Sequence, residues 1–449
     1  MGSTIEIANY PPNKRKLRVK PFGASRVHKI LTQLIHWTLF LYAFLLPLET
    51  IELGFATRGA LTLPKMAAIA LVGLSVLCRK IAFRRFEWPH LCFAGYVLAI
   101  LMTLGTIPLR SEGQVLSLFV MLIQLFVIFW LASNLLTNER TAKGALLAFS
   151  IGCSVLALCA LFNIGGMTAI SRAKGLQRLT IDGFDPNEIA YILALGIAAL
   201  IGIFLENGRK SAFSKVAIIG LALPQVAMLI SAGSRTGLAA LVMGIMLFVV
   251  FMGKRRNKII VIFVCSATLL GVCYLALTNP VTASRLQDTV EEGHLSGRGL
   301  IYSSALDMID QKPFWGWGPV ESQYELGTRT GRGRVSPHNL YLRVLLQVGL
   351  LGGGLFFIGL ALCVKSAWRG RIRTLGLTPF VLLSIVLIVN LGLDYLTRKV
   401  TWFVLALVVA QPHIGIQYQA VRSKIRHKTC VFTQDLKEES AMWVAHKNA

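Results

Sequence analysis

Long apolar segments alternate with short polar ones along almost the whole chain. Twelve of these segments run for roughly 17 to 25 residues, the helix length that a bilayer requires. They begin near Ile30, Leu63, Leu91, Val115, Ala145, Asn187, Val216, Thr236, Ile259, His338, Leu375 and Val400. The pattern therefore predicts an all-α, polytopic membrane protein with about twelve transmembrane helices.

The polar segments divide the chain into five parts. They are a basic tail at 1–29, spans one to nine at 30–278, a long loop at 279–337, spans ten to twelve at 338–416 and a second basic tail at 417–449. Within the loop, Arg298–Ile309 has helical apolar spacing, with Leu300 and Ile301 at its start. This spacing predicts an amphipathic helix that lies on the membrane surface or covers a cavity.

The distribution of charge predicts how the chain is oriented. A net charge of +25 would by itself suggest nucleic-acid binding, but 55% of the residues are hydrophobic. Of the 46 Lys and Arg, 30 fall in the two tails and in alternate connections, as expected of cytoplasmic segments. We therefore expect an integral membrane protein, with the lipid bilayer as partner and no nucleic acid. Both termini would be cytoplasmic and the long loop would lie on the opposite side of the membrane.

Three arginines near the predicted outer boundary are candidates for anion binding. Arg235 lies in SAGSRTG between two apolar runs, where a guanidinium requires an anion or an acidic partner. An arginine that extends to lipid head groups would explain the same pattern. Arg172 and Arg178 precede a helix start at which Asp185 could cap and Pro186 could be the first residue. Capping accounts for Asp185. The enrichment of cations in cytoplasmic connections does not account for Arg172 and Arg178, because their connection is predicted to lie on the other side.

His338 is the most informative single residue. The segment SPHNLYLRVLLQVGLLGG predicts Ser336 as the N-cap and Pro337 as the first helical residue, with His338 and Asn339 in the first turn. A helix N-terminus and nearby arginines disfavour the imidazolium form, which leaves a neutral imidazole able to accept a proton near pH 7. An interfacial histidine bonded to water or head groups is the alternative.

Asp394, in NLGLDYLTRK, is an acidic residue close to the outer end of a late span. It either orients a histidine or pairs with Arg398 one helical turn later, and the pairing is the favoured interpretation. The sequence has no P-loop, no nucleotide-binding glycine turn and no acidic pair suited to a nucleotide-sugar metal. A transferase with this sequence would therefore stabilise its leaving group with arginines.

Two long segments together resemble the shared region of bacterial O-antigen ligases and related surface-polysaccharide polymerases. They are GRGLIYSSALDMIDQKPFWGWGPVESQYELG and the histidine-containing SPHNLYLRVLLQVGLLGG. In that family an arginine-led helix, a glycine-rich turn and a His-Asn pair flank a large periplasmic loop. The upstream GFDPNEIAY and SAGSRTG also look like their counterparts in the family.

The resemblance implies a protein of the bacterial inner membrane with a periplasmic active site. It also implies transfer of a glycan from an undecaprenyl-diphosphate carrier to a hydroxyl acceptor, such as lipid A-core, with no cofactor and no metal. The implied catalytic residues are His338, Arg235 and Arg298, and the implied substrate-binding residues are Arg172, Arg178, Asn339 and Asp394. The arginines would bind the diphosphate as it leaves, and Arg172 and Arg178 are both candidates for the family's single upstream arginine. The histidine would accept the proton of the acceptor hydroxyl. A base on the opposite face of the sugar would invert the anomeric configuration.

Two other functions fit parts of the pattern. A surface-polysaccharide polymerase would use the same arginines and histidine with a carrier-linked glycan as acceptor, so the motifs do not separate it from a ligase. A lipid or solute transporter would also have many spans, but we would expect internal repeats and charges deep within them. The charges singled out above lie near the predicted outer boundary instead.

Overall fold

The structure is a computed structural model. It describes residues 26–49, 62–106, 109–166, 168–173, 176–181, 183–206, 212–251, 258–280, 282–284, 298–372 and 375–414. The α-helices are α1 Arg26–Leu45, α2 Leu63–Leu77, α3 Arg79–Ala82, α4 Trp88–Met102, α5 Leu109–Leu135, α6 Glu139–Leu161, α7 Pro186–Glu206, α8 Ala212–Ser231, α9 Arg235–Phe251, α10 Lys258–Thr278, α11 Arg298–Gln311, α12 Glu321–Arg329, α13 Leu340–Gly370, α14 Thr378–Val389 and α15 Lys399–Ala410. The two strands are β1 Thr168–Ala173 and β2 Leu176–Ile181.

Each of the twelve predicted spans coincides with a helix. Seven stretches are long and apolar enough to cross a membrane: Ile30–Leu48, Trp88–Gly105, Glu112–Leu135, Glu139–Leu161, Pro186–Leu205, Phe213–Ser231 and Leu340–Gly370. A mostly helical, multi-pass membrane protein is thereby confirmed. The count of twelve spans and the side on which the long loop lies stay predictions, as do the two tails, which lie almost wholly outside the described residues.

The described helices pack around α7, the most deeply buried of the long ones. It contacts α6, α8, α9 and α14, while α13 packs along α4 and α15 along α5. Large apolar side chains such as Trp37, Leu98 and Leu223 are more than half exposed on the outside of the bundle. An apolar exterior around an apolar core is what a lipid solvent requires, since lipid does not penalise exposed hydrocarbon.

A β-hairpin interrupts the predicted all-α fold between α6 and α7. The strands β1 and β2 pair antiparallel, with Thr168 opposite Ile181 and Arg172 opposite Gln177. Alternation along β2 buries Arg178 and Thr180 on one face, which packs toward α7 and α8. The sequence pattern missed this element because two six-residue strands produce only a weak period-two signal beside long apolar runs.

The helix α13 is broken in the middle and the break is filled by another segment. Gly349 has φ 60° and ψ −160°, a conformation essentially restricted to glycine. The residues 313–318, which we call the PFWGWG segment, bond to the opened helix backbone. Trp317 and Gly318 donate to the carbonyls of Leu346 and Gln347, and Leu350 and Leu351 donate to those of Pro313 and Phe314, at 2.7 to 3.2 Å. The break therefore holds the long connection before α13 against the helix that follows it.

The amphipathic helix predicted from Arg298 onward is present as α11. Ile301, Ala305 and Met308 are buried in a small core that also contains Leu346 of α13. Leu300, which the spacing placed on the same apolar face, is 59% exposed because it lies one position ahead of that stripe. The helix thus covers part of α13 with one face.

Candidate active site

Arg178 links the hairpin to the helices behind it. Its side chain is 5% exposed, its Nε donates to the carbonyl of Ala232 at 2.9 Å, and its Nη2 donates to Asn187 Oδ1 at 3.1 Å. Ala232 belongs to the turn before Arg235, and Asn187 belongs to the first turn of α7. The arginine therefore fixes the position of the turn that presents Arg235.

The other upstream arginine is placed only by its backbone. Arg172 lies in β1 near the tip of the hairpin, opposite Gln177, and its side chain lies outside the described part of the structure. Of the two candidates, Arg178 is the one that the structure brings to the turn before Arg235.

Arg235 begins α9 immediately after a capped turn. The Ser234 hydroxyl accepts a hydrogen bond from Gly237 N at 3.2 Å, and its carbonyl accepts one from Leu238 N at 3.0 Å. A Cβ on Gly237 would lie 2.6 Å from the Cβ of Ala190, so this glycine allows α9 to approach α7 closely. The sequence SAGSRTG therefore places a guanidinium at the positive end of a helix, where an anion would be favoured.

Arg298, the first residue of α11, reaches across one end of the bundle. Its Nη1 donates to the carbonyl of Gly392 at 2.8 Å. A Cβ on Gly392 would lie 3.2 Å from that Nη1 and 3.7 Å from Thr236 Oγ1. The start of α11 therefore meets the start of α9 beside Gly392, which brings Arg298 next to the residue that follows Arg235.

The structure corrects the predicted start of the histidine helix. Asn339, and not Ser336, caps α13: its Oδ1 accepts from Tyr341 N at 3.0 Å and from Leu342 N at 3.1 Å. His338 precedes the cap, with φ 48°, whereas the prediction placed it and Asn339 inside the first helical turn. Asn339 caps the helix in preference to Ser336 because its side-chain amide also donates to the carbonyl of Leu391 at 3.0 Å, and this second bond holds the side chain in the capping position.

His338 and Arg298 are held by two consecutive carbonyls. Leu391 accepts from Asn339, the neighbour of His338, and Gly392 accepts from Arg298. His338 is exposed, yet the surrounding protein is close enough to lower the pKa of its imidazole. Arg298 lowers this pKa further, while Asp394 and Asp185 act in the opposite direction. A neutral imidazole therefore stands near the fixed guanidinium of Arg298.

Asp394 pairs with a different arginine from the one predicted. It forms an ion pair with Arg343 of α13, and Arg398 instead bonds to Glu188 Oε2 at 2.6 Å. The predicted pairing across one turn required a helix over residues 394–398, but α15 begins only at Lys399. Asp394 is 7% exposed on its side chain, so the pair ties the start of α13 to the segment that receives Arg298.

Four contributors were not found from the sequence. Arg343 and Glu188 are ionisable residues inside predicted spans, and such residues usually have a functional or pairing role, so they could have been singled out. The carbonyls of Leu391 and Gly392 gave no signal, because a backbone acceptor leaves no trace in side-chain pattern. Asp185 behaves as expected, since its Oδ1 accepts from Asn187 N at 2.7 Å and α7 begins at Pro186.

Removing the charge of Arg298 tests whether it stabilises a leaving anion. We expect Arg298→Gln, which can still donate to the Gly392 carbonyl, to lower kcat about 10²- to 10³-fold, the usual effect of losing one donor to developing charge. The measurement is transfer of glycan by purified protein at saturating donor. Arg332→Gln is the matched control, because Arg332 is an exposed arginine of the same outer connection. Equal activity of the two variants would contradict this role.

The family comparison covers the part of the chain that contains most of this site. Residues 217–357 match the family model described as O-antigen ligase. The matched range runs from α8 to α13 and includes Arg235, Arg298 and His338, whereas Arg178 and Asp394 lie outside it. No curated protein matches the chain. The resemblance seen in the sequence is confirmed, and through residues 217–357 this multi-pass membrane protein is related to the O-antigen ligase family.

Proposed function

We propose that this chain transfers a glycan from undecaprenyl diphosphate to a hydroxyl of a lipid acceptor such as lipid A-core, on the periplasmic side of the inner membrane. The observation that carries the proposal is the pair of consecutive carbonyls, Leu391 and Gly392, which hold the His338 segment beside Arg298. The family match supports glycan transfer in general and does not distinguish ligase from polymerase.

The proposed step is a single displacement. The acceptor oxygen bonds to the anomeric carbon while the bond from that carbon to the diphosphate breaks, leaving its electron pair on the diphosphate oxygen. His338 takes the proton of the acceptor hydroxyl, which its lowered pKa permits at neutral pH. Arg298 and Arg235 stabilise the negative charge that develops on the leaving group.

The placement of the arginines favours this order of events. Arg298 is fixed by a backbone carbonyl, so its guanidinium is oriented before substrate arrives, and the backbone of Arg235 is fixed at a helix N-terminus. Preorganised donors cost no reorganisation during the reaction, and they act more strongly where lipid and protein exclude water. Arg178 contributes indirectly by fixing the turn before Arg235.

The deciding experiment offers two acceptors to the purified protein in detergent. The donor is a glycan on undecaprenyl diphosphate, and the assay contains EDTA and no nucleotide. We expect transfer to lipid A-core, and loss of that transfer when His338 is replaced. Chain extension on carrier-linked repeats alone would instead indicate a polymerase. If neither acceptor is used while reconstituted vesicles still move the carrier lipid, the proposed enzyme activity is wrong and a transporter is favoured.

A further inference from the structure

A cleft lies at the end of α13 away from His338. It has a volume of about 730 Å³ and lies mainly between the start of α4, with the two residues before it, and the end of α13, which pack side by side; Pro412 completes the lining. Trp88 and Leu91 form one wall, and Leu362, Lys365, Ser366 and Arg369 form the other. We call it the Lys365 cleft.

The two cations of the Lys365 cleft share one face of α13. Lys365 and Arg369 are four residues apart and both are exposed. Like charges at this spacing repel each other on a helix. Among the residues that the structure describes, no carboxylate lies within ion-pair distance of either. A bound anion would relieve this repulsion.

The acidic residue of the cleft is already engaged. Glu87 forms an ion pair with His413, and its side chain also accepts from the first turn of α4 as part of a capping box. It forms no ion pair with either cation of α13. One wall of the cleft therefore carries two cations without a carboxylate partner among the described residues, and the other wall is largely apolar.

The length of α13 sets the distance between this cleft and the candidate active site. Helix residues rise about 1.5 Å each, so Lys365 lies roughly 24 Å from the break at Gly349, and His338 lies beyond the other side of that break. The hydrocarbon core of a bilayer is about 30 Å thick. The cleft thus meets the membrane surface opposite the candidate active site, where Trp88, 72% exposed, has the position typical of interfacial aromatic residues.

We propose that the Lys365 cleft binds an anionic phospholipid of the leaflet opposite the candidate active site. Lys365 and Arg369 contact the phosphate, and one acyl chain lies between Leu91, 52% exposed, and Leu362. Basic pockets between membrane helices bind such head groups. An apolar wall beside the cations favours a lipid over a soluble anion, since only the lipid has an acyl chain that can contact this wall. The proposal does not depend on the proposed glycan transfer.

The test compares lipids by their effect on the purified protein in a zwitterionic detergent. Phosphatidylglycerol should raise the midpoint of thermal unfolding, and phosphatidylcholine should not. In Lys365→Gln/Arg369→Gln the apparent affinity for phosphatidylglycerol should fall about 30-fold, because each cation near an anionic lipid contributes about a factor of five. Arg140→Gln, a single exposed cation of another predicted cytoplasmic connection, should keep wild-type affinity.

A second variant separates the cleft from general charge attraction. Leu91→Trp narrows the cleft and keeps both cations, so it should also weaken phosphatidylglycerol binding. Equal effects of phosphatidylcholine and phosphatidylglycerol would overturn the proposal, as would wild-type affinity in the double variant. Competition by inorganic phosphate at the same concentration as the lipid would show a soluble-anion site instead and would equally overturn it.

Discussion

Replacing His338 by Asn is expected to lower kcat for glycan transfer about 10²- to 10⁴-fold, the range of general acid–base contributions. Asn is the most informative substitution because His338 has φ 48°, a left-handed conformation that Asn tolerates better than Ala does. The amide cannot accept the acceptor's proton at neutral pH, so the variant removes the base with little backbone strain. The measurement is kcat on purified protein, with donor affinity as a parallel readout that should not change.

Two comparisons decide whether the loss comes from the missing base. If His338→Asn retains activity and only His338→Ala loses it, the residue has a conformational role and the assignment as base is wrong. In the wild type, kcat/KM should fall as the pH drops through the pKa of His338, which the surrounding protein and Arg298 hold below its ordinary value of about 6.5. Arg298→Gln should move this acidic limb to higher pH, because it removes a charge that disfavours the imidazolium.

Of the glycine-to-alanine substitutions in the half of α13 nearer His338, Gly349→Ala is expected to lower the stability of the protein most. A Cβ at this position would lie 2.3 Å from the carbonyl carbon and oxygen of Phe314, and the residue has φ 60°. We expect a loss of about 2 to 6 kcal/mol, combining backbone strain with steric overlap. Thermal unfolding in detergent measures it, and hydrogen exchange at the amides of Leu350 and Leu351 should accelerate.

The same helix provides the control. A Cβ added at Gly354 would have no atom within 4 Å, so Gly354→Ala should stabilise the helix by about 0.5 to 1 kcal/mol, the usual difference between the two residues. The two substitutions add the same group to one helix, little more than a turn apart, and should have opposite signs. A comparable loss in both would mean that α13 tolerates no added volume, and the role assigned to the break would be wrong.

Much of the fold could be predicted because lipid imposes a long and simple pattern. Each predicted span coincides with a helix, and α11 begins at Arg298 as its apolar spacing indicated. Family resemblance could also be read from the two long motifs, which lie mostly within residues 217–357. These features depend on residues close together in sequence, and local pattern records such features well.

Features that depend on distant contacts were missed or misread. Asn339 displaces Ser336 as the helix cap because it also bonds to Leu391, 52 residues away. Asp394 pairs with Arg343, 51 residues earlier, and not with its near neighbour Arg398. Gly349 is one of several glycines in its predicted span, and the sequence does not distinguish it from the others. The PFWGWG segment that bonds to the helix at this glycine is distant in sequence. Such partners are chosen by tertiary packing, which a single sequence does not encode locally.

The four backbone bonds between α13 and the PFWGWG segment limit how the protein can exchange substrates. Separating the two would break all four bonds at once, and each donor or acceptor left without a new partner away from water would cost several kcal/mol. The long connection is therefore expected to stay in place throughout turnover instead of swinging aside. Under the proposed glycan transfer, carrier lipid and product would then enter and leave by lateral diffusion past other elements, so the rate of exchange should follow bilayer fluidity.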